Sequence, residues 1–592
     1  MQKTHTCGEL RAQDAGKQVV LMGWVHRRRT HGGLIFVDLR DRWGLTQLVF
    51  NPSVSPDAHR VANECRLEYV LAATGTVQPR PAGTENPSLP TGAVELVVER
   101  AEVLNPARTP PFDVNQDAEV DESLRLRYRY LDLRRERMRD NLILRHRAIK
   151  HIRDWLDRRG FLEVETPILV KETPGGAREF LVPSRLNPGE FYALPQSPQQ
   201  YKQLLMVAGV ERYFQIARCF RDEDLRAERQ PEFTQLDVEM SFVDQEDVLA
   251  LTEALMVDLV EGLGVRRLAR KPFPRLTFAE AMDRYGSDKP DMRFGLLLAD
   301  VSDLAEKSGF RVFTGALAEG GKVKGIRAPG CAGYTRSQLD ELTRFAQARG
   351  GRGLATLAIA ADEPKGPLAR NLPPELLAEM IARLEGQPGD LLLFVADRPE
   401  VAAEALGELR LEIGRRLDLM PRDVLHFCWV TDMPAFEWNP DRQAYQSKHH
   451  QFTSVVDEDR PLLHTDPLKA RAKQYDLVCN GYELGGGSIR IHRRDDQAQV
   501  FRLIGMSDGQ AQEMFGHLLE AFEFGTPPHG GIALGIDRLT MLLAGGDTIR
   551  EMIAFPKTQS GTELMTGAPS PASPERLREL HVQVTPNGQK PA

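Results

Sequence analysis

The regular alternation of apolar and polar residues after Pro231 predicts a strand with two different faces. The apolar positions are Leu236, Val238, Met240 and Phe242. The polar positions between them are Gln235, Asp237, Glu239 and Ser241. A period of two residues is typical of a β-strand. The segment 213–220 also has the pattern of a strand, so the two strands and the charged segment between them predict a hairpin.

The loop of this hairpin lies in FRDEDLRAERQPEFTQLDVE at 220–239, where charges of both signs are interleaved. Most charged runs of this kind are solvated loops. The flanking strands favour a second interpretation, because a hairpin brings Arg221 and Glu223 to the rim of a polar sheet face. Such a face suits a multiply charged polar ligand better than a protein core.

Short strand patterns separated by turn residues fill residues 1–105 and predict a small five-stranded barrel of the oligonucleotide-binding (OB) type. A connector with seven arginines between 125 and 139 follows, and GFLEVETPIL at 160–169 leads into a predicted strand. From 289 to 425 the sequence has helical patterns and is rich in Gly and Ala, and strand patterns then return. We therefore expect an α+β multidomain protein with the parts 1–105, 106–135, 136–288, an inserted α/β domain at 289–425, 426–560 and a C-terminal extension at 561–592.

Composition agrees with several ordinary globular domains, since 41% of the 592 residues are hydrophobic and 27% are charged. The sequence has no apolar run of membrane-spanning length and no signal-peptide core at its start, and its six cysteines form no CxxC pair. These features predict a cytoplasmic protein without a zinc site or disulfide framework.

Charge favours the N-terminal module as the nucleic-acid contact. The formal net charge of the chain is −8, which argues against wholesale coating of nucleic acid. Residues 1–105 contain twelve basic and eleven acidic residues, a net charge of +1. Arg27, Arg28 and Arg29 precede the aromatic Phe36, and positive charge beside an aromatic ring suits single-stranded bases. The alternative is that Phe36 belongs to the core and the arginines are solvated.

Two further stretches have the chemistry of a phosphate site. In YDLVCNGYELGGGSIRIH at 475–492, Asp476 and Glu483 fall on strands that can adjoin, as two carboxylates of a Mg²⁺ site would. In GTPPHGGIALGIDRLTMLL at 525–543, a Gly-rich strand leads into a helix that begins near Asp537, and Arg538 could stack on a flat ligand. The sequence has neither a P-loop nor a GxGxxG helix start.

Together and in this order, these stretches resemble class II aminoacyl-tRNA synthetases. The segment 220–239 looks like motif 2 of that class, GIALGIDRL looks like motif 3, and the stretch ending in Pro167 looks like motif 1. The segments ALPQSPQQYKQLLM, QSKHHQF and WVHRRR narrow the resemblance to the aspartyl-tRNA synthetases. The insertion at 289–425 and the C-terminal extension resemble the bacterial form, and the resemblance covers essentially the whole chain. This resemblance implies an antiparallel catalytic sheet and a homodimer formed through motif 1.

The same resemblance implies ATP, Mg²⁺, L-aspartate and tRNA(Asp) as reactants. Aspartate would attack the α-phosphate, pyrophosphate would leave, and the aspartyl group would pass to the 3′ end of the tRNA. The implied catalytic residues are Arg221 and Arg538. The implied ATP-binding residues are Arg221, Asp222, Glu223, Gln230, Glu483, Gly535, Ile536, Asp537 and Arg538, and Asp476 and Glu483 would hold the metal. The implied aspartate-binding residues are Ser197, Gln199, Lys202, Arg221, Gln235, Asp237, His449, His450 and Arg490.

The loop over the substrate departs from the family pattern. It commonly reads TPEGARD, whereas this chain has TPGGARE at 173–179, so Gly175 stands where a carboxylate often contacts the amino acid. Glu172 and Glu179 are the candidates to replace it.

In the barrel, the implied anticodon contacts are Arg27, Arg28, Arg29, His31, Phe36, Gln47, Arg80, Gly83 and Glu95. His31 together with Gly83 resembles the relaxed group of these enzymes, which also aspartylates tRNA(Asn). The alternative is that both are ordinary turn residues.

Three rival functions share parts of this pattern. The asparaginyl and lysyl relatives have the same barrel and motifs, but two cations, Arg490 and Lys202, suit neither an amide nor an ammonium substrate. A catalytically inactive paralogue that only binds nucleic acid would be expected to lose its motif arginines. Arg221, Arg490 and Arg538 are all present.

Overall fold

The structure is a computed structural model that describes residues 2–173 and 178–585. The chain divides into two compact units. One consists of Met1–Ile143 and Glu563–Ala568, and the other of Leu144–Thr562 and Pro569–Ala592. No helix of the described residues combines the length and the apolar content needed to cross a bilayer. The finer domain boundaries given above remain predictions.

The first unit contains the predicted five-stranded barrel. Its elements are β1 (Gln18–His31), β2 (Leu34–Asp41), β3 (Gly44–Phe50), α1 (Pro56–Glu64), β4 (Val70–Pro79), β5 (Val94–Asn105), α2 (Glu122–Arg127) and α3 (Arg129–Asp132). Helix α4 follows at Glu136–Asp157. The strands close in the order β1-β2-β3-β5-β4, and alternate residues such as Val19, Leu21 and Val25 point into the barrel core. The alternation therefore determines which side chains remain on the outer surface.

The second unit begins with the motif 1 and motif 2 elements. They are β6 (Leu162–Glu163), β7 (Leu181–Pro183), β8 (Phe191–Ala193), α5 (Gln199–Val207), β9 (Arg212–Phe220), β10 (Glu232–Ser241), α6 (Gln245–Leu263), β11 (Arg267–Leu268), β12 (Arg275–Thr277) and α7 (Phe278–Tyr285). Strands β9 and β10 form the predicted hairpin, with Phe220 opposite Glu232.

The inserted segment forms a second, five-stranded sheet. Its elements are β13 (Ala299–Asp300), α8 (Ser302–Glu306), α9 (Arg311–Ala318), β14 (Lys322–Ala328), α10 (Arg336–Gln347), β15 (Ala355–Ile359), β16 (Pro364–Lys365), α11 (Pro367–Asn371), α12 (Pro374–Arg383), β17 (Leu391–Asp397) and α13 (Pro399–Arg416). The strand order is β13-β14-β17-β15-β16, and an apolar cluster covers each face of the sheet. The α/β character expected of the insertion is confirmed.

The chain then returns to the first sheet of this unit. The elements are β18 (Val424–Leu425), β19 (Phe427–Thr431), β20 (Phe436–Asn439), β21 (Ala444–Ser447), α14 (Leu462–Thr465), β22 (Gln474–Cys479), β23 (Tyr482–Ile489), α15 (Arg494–Leu503), α16 (Asp508–Ala521), β24 (His529–Gly535), α17 (Ile536–Ala544) and α18 (Pro574–Glu579). Short 3₁₀ turns lie at Ala12–Asp14, Asp457–Asp459, Pro467–Lys469, Phe522–Phe524 and Ile549–Glu551. The eight strands run in the order β12-β19-β22-β23-β24-β10-β9-β6, mostly antiparallel, as expected.

Two local expectations were wrong. Strand β10 ends at Ser241, and Phe242 has a φ of +59° and a 69% exposed side chain, so it does not extend the apolar face. The pattern from 160 to 169 gives only the two-residue strand β6, which pairs in parallel with β9. In both cases the chain leaves the sheet, which residue type alone does not indicate.

Candidate active site and anticodon-binding surface

A cavity of about 510 Å³ lies on the polar face of the eight-stranded sheet. Its walls come from β10, β23, β24, α5, the motif 2 loop and the segment that contains His449 and His450. All nine residues predicted to bind aspartate line it. Of the predicted nucleotide residues, Asp222 and Ile536 are not among its lining residues, and Ile536 is fully buried in the core.

Four buried charged side chains form a quartet at one end of the cavity. Arg490 Nε and Nη2 donate to the two oxygens of Glu239 at 2.9 and 3.1 Å. Lys202 Nζ lies 2.7 Å from Asp237 Oδ1 and 3.2 Å from Glu239 Oε2. Each of the four side chains is at most 2% exposed. Two cations and two carboxylates therefore balance one another away from bulk water, as buried charges require.

The two carboxylates of the quartet differ. Burial opposes ionisation of Glu239, but the Arg490 and Lys202 cations outweigh burial and lower its pKa to about 2. Burial raises the pKa of Asp237 despite the Lys202 ammonium. Asp237 Oδ2 has no hydrogen-bond partner anywhere in residues 2–173 and 178–585. Glu239 is thus fixed by its cations, whereas Asp237 retains a free acceptor beside the cavity.

Arg490 faces the cavity side with neutral partners. Its Nη1 lies 2.5 Å from Ser488 Oγ and 2.9 Å from His450 Nε2. Because a guanidinium only donates, Nε2 of His450 accepts from Arg490, and Nδ1 of the same ring accepts from the Phe452 amide at 3.2 Å. Desolvation and the nearby cations lower the pKa of both His449 and His450 below the usual value. A ligand carboxylate could replace a neutral acceptor on Nη1 without breaking an ion pair.

The motif 2 and motif 3 arginines lie at the other part of the cavity. Arg221 lies 5.0 Å from the ring centre of Phe233, and Glu223 accepts from Arg229 at 2.9 Å. Nη1 of Arg538 contacts the carbonyl of Glu483. The Nε atoms of Arg221 and Arg538 are buried, and neither has a hydrogen-bond partner within the described chain. Donors without acceptors beside an aromatic face suit the base and phosphates of a nucleotide.

Two predicted nucleotide residues have protein partners instead. The carboxylate of Asp537 pairs with Arg145 at 2.5 Å and accepts the Thr234 amide at 2.8 Å. The side-chain amide of Gln230 exchanges two hydrogen bonds with the backbone of Lys557, at 3.0 and 2.8 Å. Both side chains therefore fix neighbouring segments, although both line the cavity. Gly535 also lines it, beside Arg538.

The predicted metal carboxylates come from adjacent strands. Asp476 on β22 is 7% exposed, while Glu483 on β23 lines the cavity. Burial and then the Glu483 carboxylate raise the pKa of Asp476 well above its usual value. A bound cation would favour the ionised carboxylates and so offset both effects, as expected of a pair that fits Mg²⁺. Among the described residues, no group of three metal-ligating side chains forms a closed site, so water and phosphate oxygens would complete the shell.

Gly175 lies outside the described residues, so its expected role remains a prediction. Of the two candidate replacements, Glu179 lines the cavity, and its Oε1 and Oε2 accept from Thr173 Oγ1 and N at 2.9 and 3.1 Å. Glu172 is exposed and is not a lining residue.

On the barrel, the predicted anticodon residues fall into two groups. Arg29 Nη2 donates to Gln47 Oε1 at 3.0 Å and pairs with Asp38 at 3.2 Å. Gln47 in turn donates to Glu95 at 2.8 Å. Phe36 lies opposite Arg29, half-exposed and outside the barrel core. These residues form one outer surface, and burial raises the pKa of Glu95 within it.

The other predicted anticodon residues lie apart from this surface or at its edge. Arg28 turns toward α1, where it donates to the Ala62 carbonyl and the Asn63 side chain at 2.9 Å. Arg80 is buried and donates to the Val94 carbonyl, and Arg27 is exposed. His31 is exposed at the end of β1, and Gly83 is exposed in a turn between β4 and β5, where its φ is +85°.

Sequence reasoning missed three side chains of these sites. Glu239 was placed on the polar face but was given no role, and Phe233 and Asp38 were not singled out. The period of two contained the signal, because Phe36 and Asp38, like Asp237 and Glu239, are two residues apart and share a face.

Comparison with known proteins agrees with this geometry. A model of the tRNA synthetases class II (D, K and N) matches residues 121–559, and a model of the OB-fold nucleic acid binding domain matches 19–104. The Aspartate–tRNA(Asp/Asn) ligase of Moorella thermoacetica is 60% identical and covers 99% of this chain and 97% of that protein. The ligase of the same name from Rubrobacter xylanophilus is 56% identical over 98% of this chain and 97% of that protein.

Solved structures show the same fold. The crystal structure of asparaginyl-tRNA synthetase from Pyrococcus horikoshii, complexed with asparaginyl-adenylate, has a TM-score of 0.59 at 20% identity. The matched region covers 94% of this chain and 98% of the asparaginyl-tRNA synthetase chain. The barrel, the antiparallel sheet, the matched family models and the full-length relatives lead to one conclusion. The chain belongs to the class II aminoacyl-tRNA synthetases, in the group specific for aspartate, lysine and asparagine.

Proposed function

We propose that this protein is an aspartate–tRNA ligase, which activates L-aspartate with ATP and transfers it to tRNA. The observation that supports aspartate is the buried quartet at the end of the cavity. Among the residues that the structure describes, the acceptors on Arg490 Nη1 are neutral, so the side-chain carboxylate of aspartate can bind there. The free oxygen of Asp237 offers an acceptor for the substrate ammonium.

The proposed reaction needs no protein nucleophile. The α-carboxylate of aspartate attacks the α-phosphate of ATP, and the bond to pyrophosphate breaks. A terminal tRNA hydroxyl then attacks the aspartyl carbonyl, so that an ester forms, the acyl–phosphate bond breaks and AMP leaves. Catalysis of this kind depends on positioning and on charge stabilisation. The buried Nε atoms of Arg221 and Arg538 have no partner within residues 2–173 and 178–585, which supports the placement of ATP in this part of the cavity. Mg²⁺ held by Asp476 and Glu483 would neutralise phosphate charge.

The barrel surface around Arg29, Phe36 and Gln47 supports binding of the anticodon. A half-exposed ring beside donors and acceptors matches a stacked base that is read through its edge. The matched relatives are named for both tRNA(Asp) and tRNA(Asn). With His31 exposed at the end of β1 and Gly83 exposed in a turn, we propose the same two substrates for this chain.

Exposed apolar side chains between residues 162 and 192 support the homodimer implied by motif 1. They are Leu162, Ile168, Leu169, Leu181, Leu186, Phe191 and Tyr192, each at least 41% exposed. Leu162 belongs to β6, an edge strand of the eight-stranded sheet. A second copy of this chain would cover this surface.

The test of the proposed function is exchange of labelled pyrophosphate into ATP with aspartate, asparagine or lysine as the only amino acid. We expect exchange with aspartate alone. Arg490→Leu should lower it at least about a thousandfold, because the loss leaves Glu239 buried without its main cation, at a cost of roughly 3–5 kcal/mol. The exposed neighbour Arg493→Leu is the matched control and should retain activity. Exchange supported by asparagine or lysine would contradict the proposal.

A further inference from the structure

The segment that leads into the inserted domain lies against the metal-site strands. Residues 287–296, here called the junction loop, connect α7 to β13. The turn between β22 and β23 contains Gly481, whose φ is +86°. A Cβ added there would lie 3.5 Å from Asp291 Cβ and 3.9 Å from the Lys289 carbonyl. The junction loop therefore packs beside the turn that joins the strands of Asp476 and Glu483.

A buried arginine of the inserted domain fixes the junction loop. Arg410 on α13 is 1% exposed. Its Nε donates to the carbonyls of Gly295 and Leu296 at 3.1 Å, and its Nη2 donates to those of Asp291 and Phe294 at 2.9 Å. A planar guanidinium that holds four carbonyls leaves the loop little freedom.

Lys289 of this loop lies beside Glu483, a residue that lines the cavity. The Lys289 amide donates to Ser287 Oγ at 3.0 Å. Its Nζ lies 3.7 Å from Glu483 Oε2 and 3.7 Å from Asp288 Oδ1, distances too long for a hydrogen bond, and its side chain is 40% exposed. The ammonium thus lies in the field of two carboxylates but is bonded to neither, and it can turn to a stronger anion.

We infer that Lys289 is a further substrate-binding residue of the nucleotide site, where its ammonium contacts the phosphates that leave as pyrophosphate. The inference rests on the proposed function. The α-phosphate must lie near the aspartate carboxylate, so the other two phosphates extend away from the quartet, toward Glu483 and Arg538. At that end Mg²⁺ held by Asp476 and Glu483 would neutralise part of their charge, whereas the Asp288 carboxylate would repel them. Lys289 adds a cation there and stabilises the charge that develops on pyrophosphate as the Pα–O bond breaks.

The placement also gives the inserted domain a role. Arg410 touches no substrate in this scheme and acts through the junction loop, so it is a positioning residue. The inserted domain then contributes to catalysis by holding the backbone on which Lys289 stands.

The experiment compares Lys289→Met and Lys289→Arg with Lys307→Met, an exposed lysine of the same domain. We expect Lys289→Met to raise the KM for pyrophosphate in the exchange reaction about tenfold or more, the loss of one charge-assisted hydrogen bond. The KM for aspartate should stay within about twofold, Lys289→Arg should restore most of the loss, and Lys307→Met should match the wild type. Calorimetric binding of pyrophosphate to the unliganded enzyme should weaken in parallel.

An unchanged KM and unchanged pyrophosphate binding in Lys289→Met would overturn the inference, as would an equal loss for aspartate and pyrophosphate. A wild-type enzyme that exchanges no pyrophosphate with aspartate would instead overturn the proposed function, so the two failures are distinguishable.

Discussion

His529, on β24, shows how a single side chain makes the stability of this protein depend on pH. It is fully buried, its Nε2 lies 3.2 Å from Gln203 Nε2, and its Nδ1 lies 2.8 Å from the Pro527 carbonyl. Burial lowers its pKa to about 4, so the folded protein favours the neutral ring. A depressed histidine pKa gives stability that is complete above pH 6.5 and is lost as pH falls toward 4.

We predict that His529→Gln will make unfolding less sensitive to acid. The wild-type ring costs about 1.4 kcal/mol per pH unit between 6.5 and the folded pKa, a penalty that glutamine does not have. Thermal melts at pH 7.5, 6.5, 5.5 and 4.5 should therefore converge between the two proteins as pH falls, even if the variant is less stable at pH 7.5. Parallel melting curves across this range would contradict the assignment.

At the scale of single residues, the sequence predicted which residues belong to the site better than it predicted their hydrogen-bond and ion-pair partners. Arg490, Lys202 and Asp237 were expected at the site, and all three line the cavity. The partner of Arg490 was not predictable, because Glu239 lies 251 positions away and alternation says only which face it occupies. Asp537 and Gln230 illustrate the opposite case, in which tertiary partners engage side chains assigned to the nucleotide.

Among the elements, β23 depends on small residues. It runs between β22 and β24, and a Cβ on Gly486 would lie 2.7 Å from Asp476 Oδ1 and 3.8 Å from His449 Nε2. Glycine thus leaves room for the Asp476 carboxylate at the proposed metal site. The Gly-rich sequence predicted that another group approaches this backbone closely. It did not predict the strand order that brings Asp476 next to Gly486.

We predict that Gly486→Ala will displace the Asp476 carboxylate while the sheet still forms. The concentration of Mg²⁺ that gives half-maximal ATP binding should rise about tenfold, since strain of this size costs roughly 1–3 kcal/mol. Equilibrium binding of ATP at a series of Mg²⁺ concentrations is the measurement. Gly509→Ala is the matched control, because an added Cβ there meets nothing within 4 Å. Equal Mg²⁺ dependence in both variants would show that Gly486 does not protect the site.

For the molecule as a whole, the defining property is which tRNAs receive aspartate. The anticodons for aspartate and asparagine differ only in the third base, C against U. His31 ends β1 and Gly83 lies in the loop between β4 and β5, both exposed, with the Gly83 amide bonded to Glu85 at 2.8 Å. An imidazole can donate or accept, and glycine offers no side chain that would exclude U.

We predict that the wild-type enzyme will aspartylate transcripts of both tRNA(Asp) and tRNA(Asn), and that His31→Leu will favour tRNA(Asp). The ratio of kcat/KM for the two transcripts should shift by about tenfold, the effect of one hydrogen bond to a base edge. His146→Leu, a variant of an exposed histidine on α4, is the control and should keep the wild-type ratio. Strict rejection of tRNA(Asn) by the wild type would refute the relaxed specificity.

The 251-residue separation of Glu239 and Arg490 has a consequence for how the protein folds during synthesis on the ribosome. At elongation rates of roughly 5–20 residues per second, Glu239 emerges on the order of tens of seconds before its arginine. During that interval the nascent hairpin has Lys202 as the nearest partner for two carboxylates, and β23 and β24 do not yet exist. An early folding intermediate therefore cannot contain the complete substrate pocket. The pocket is completed late in synthesis, when the last third of the chain packs against the strands that were synthesised earlier.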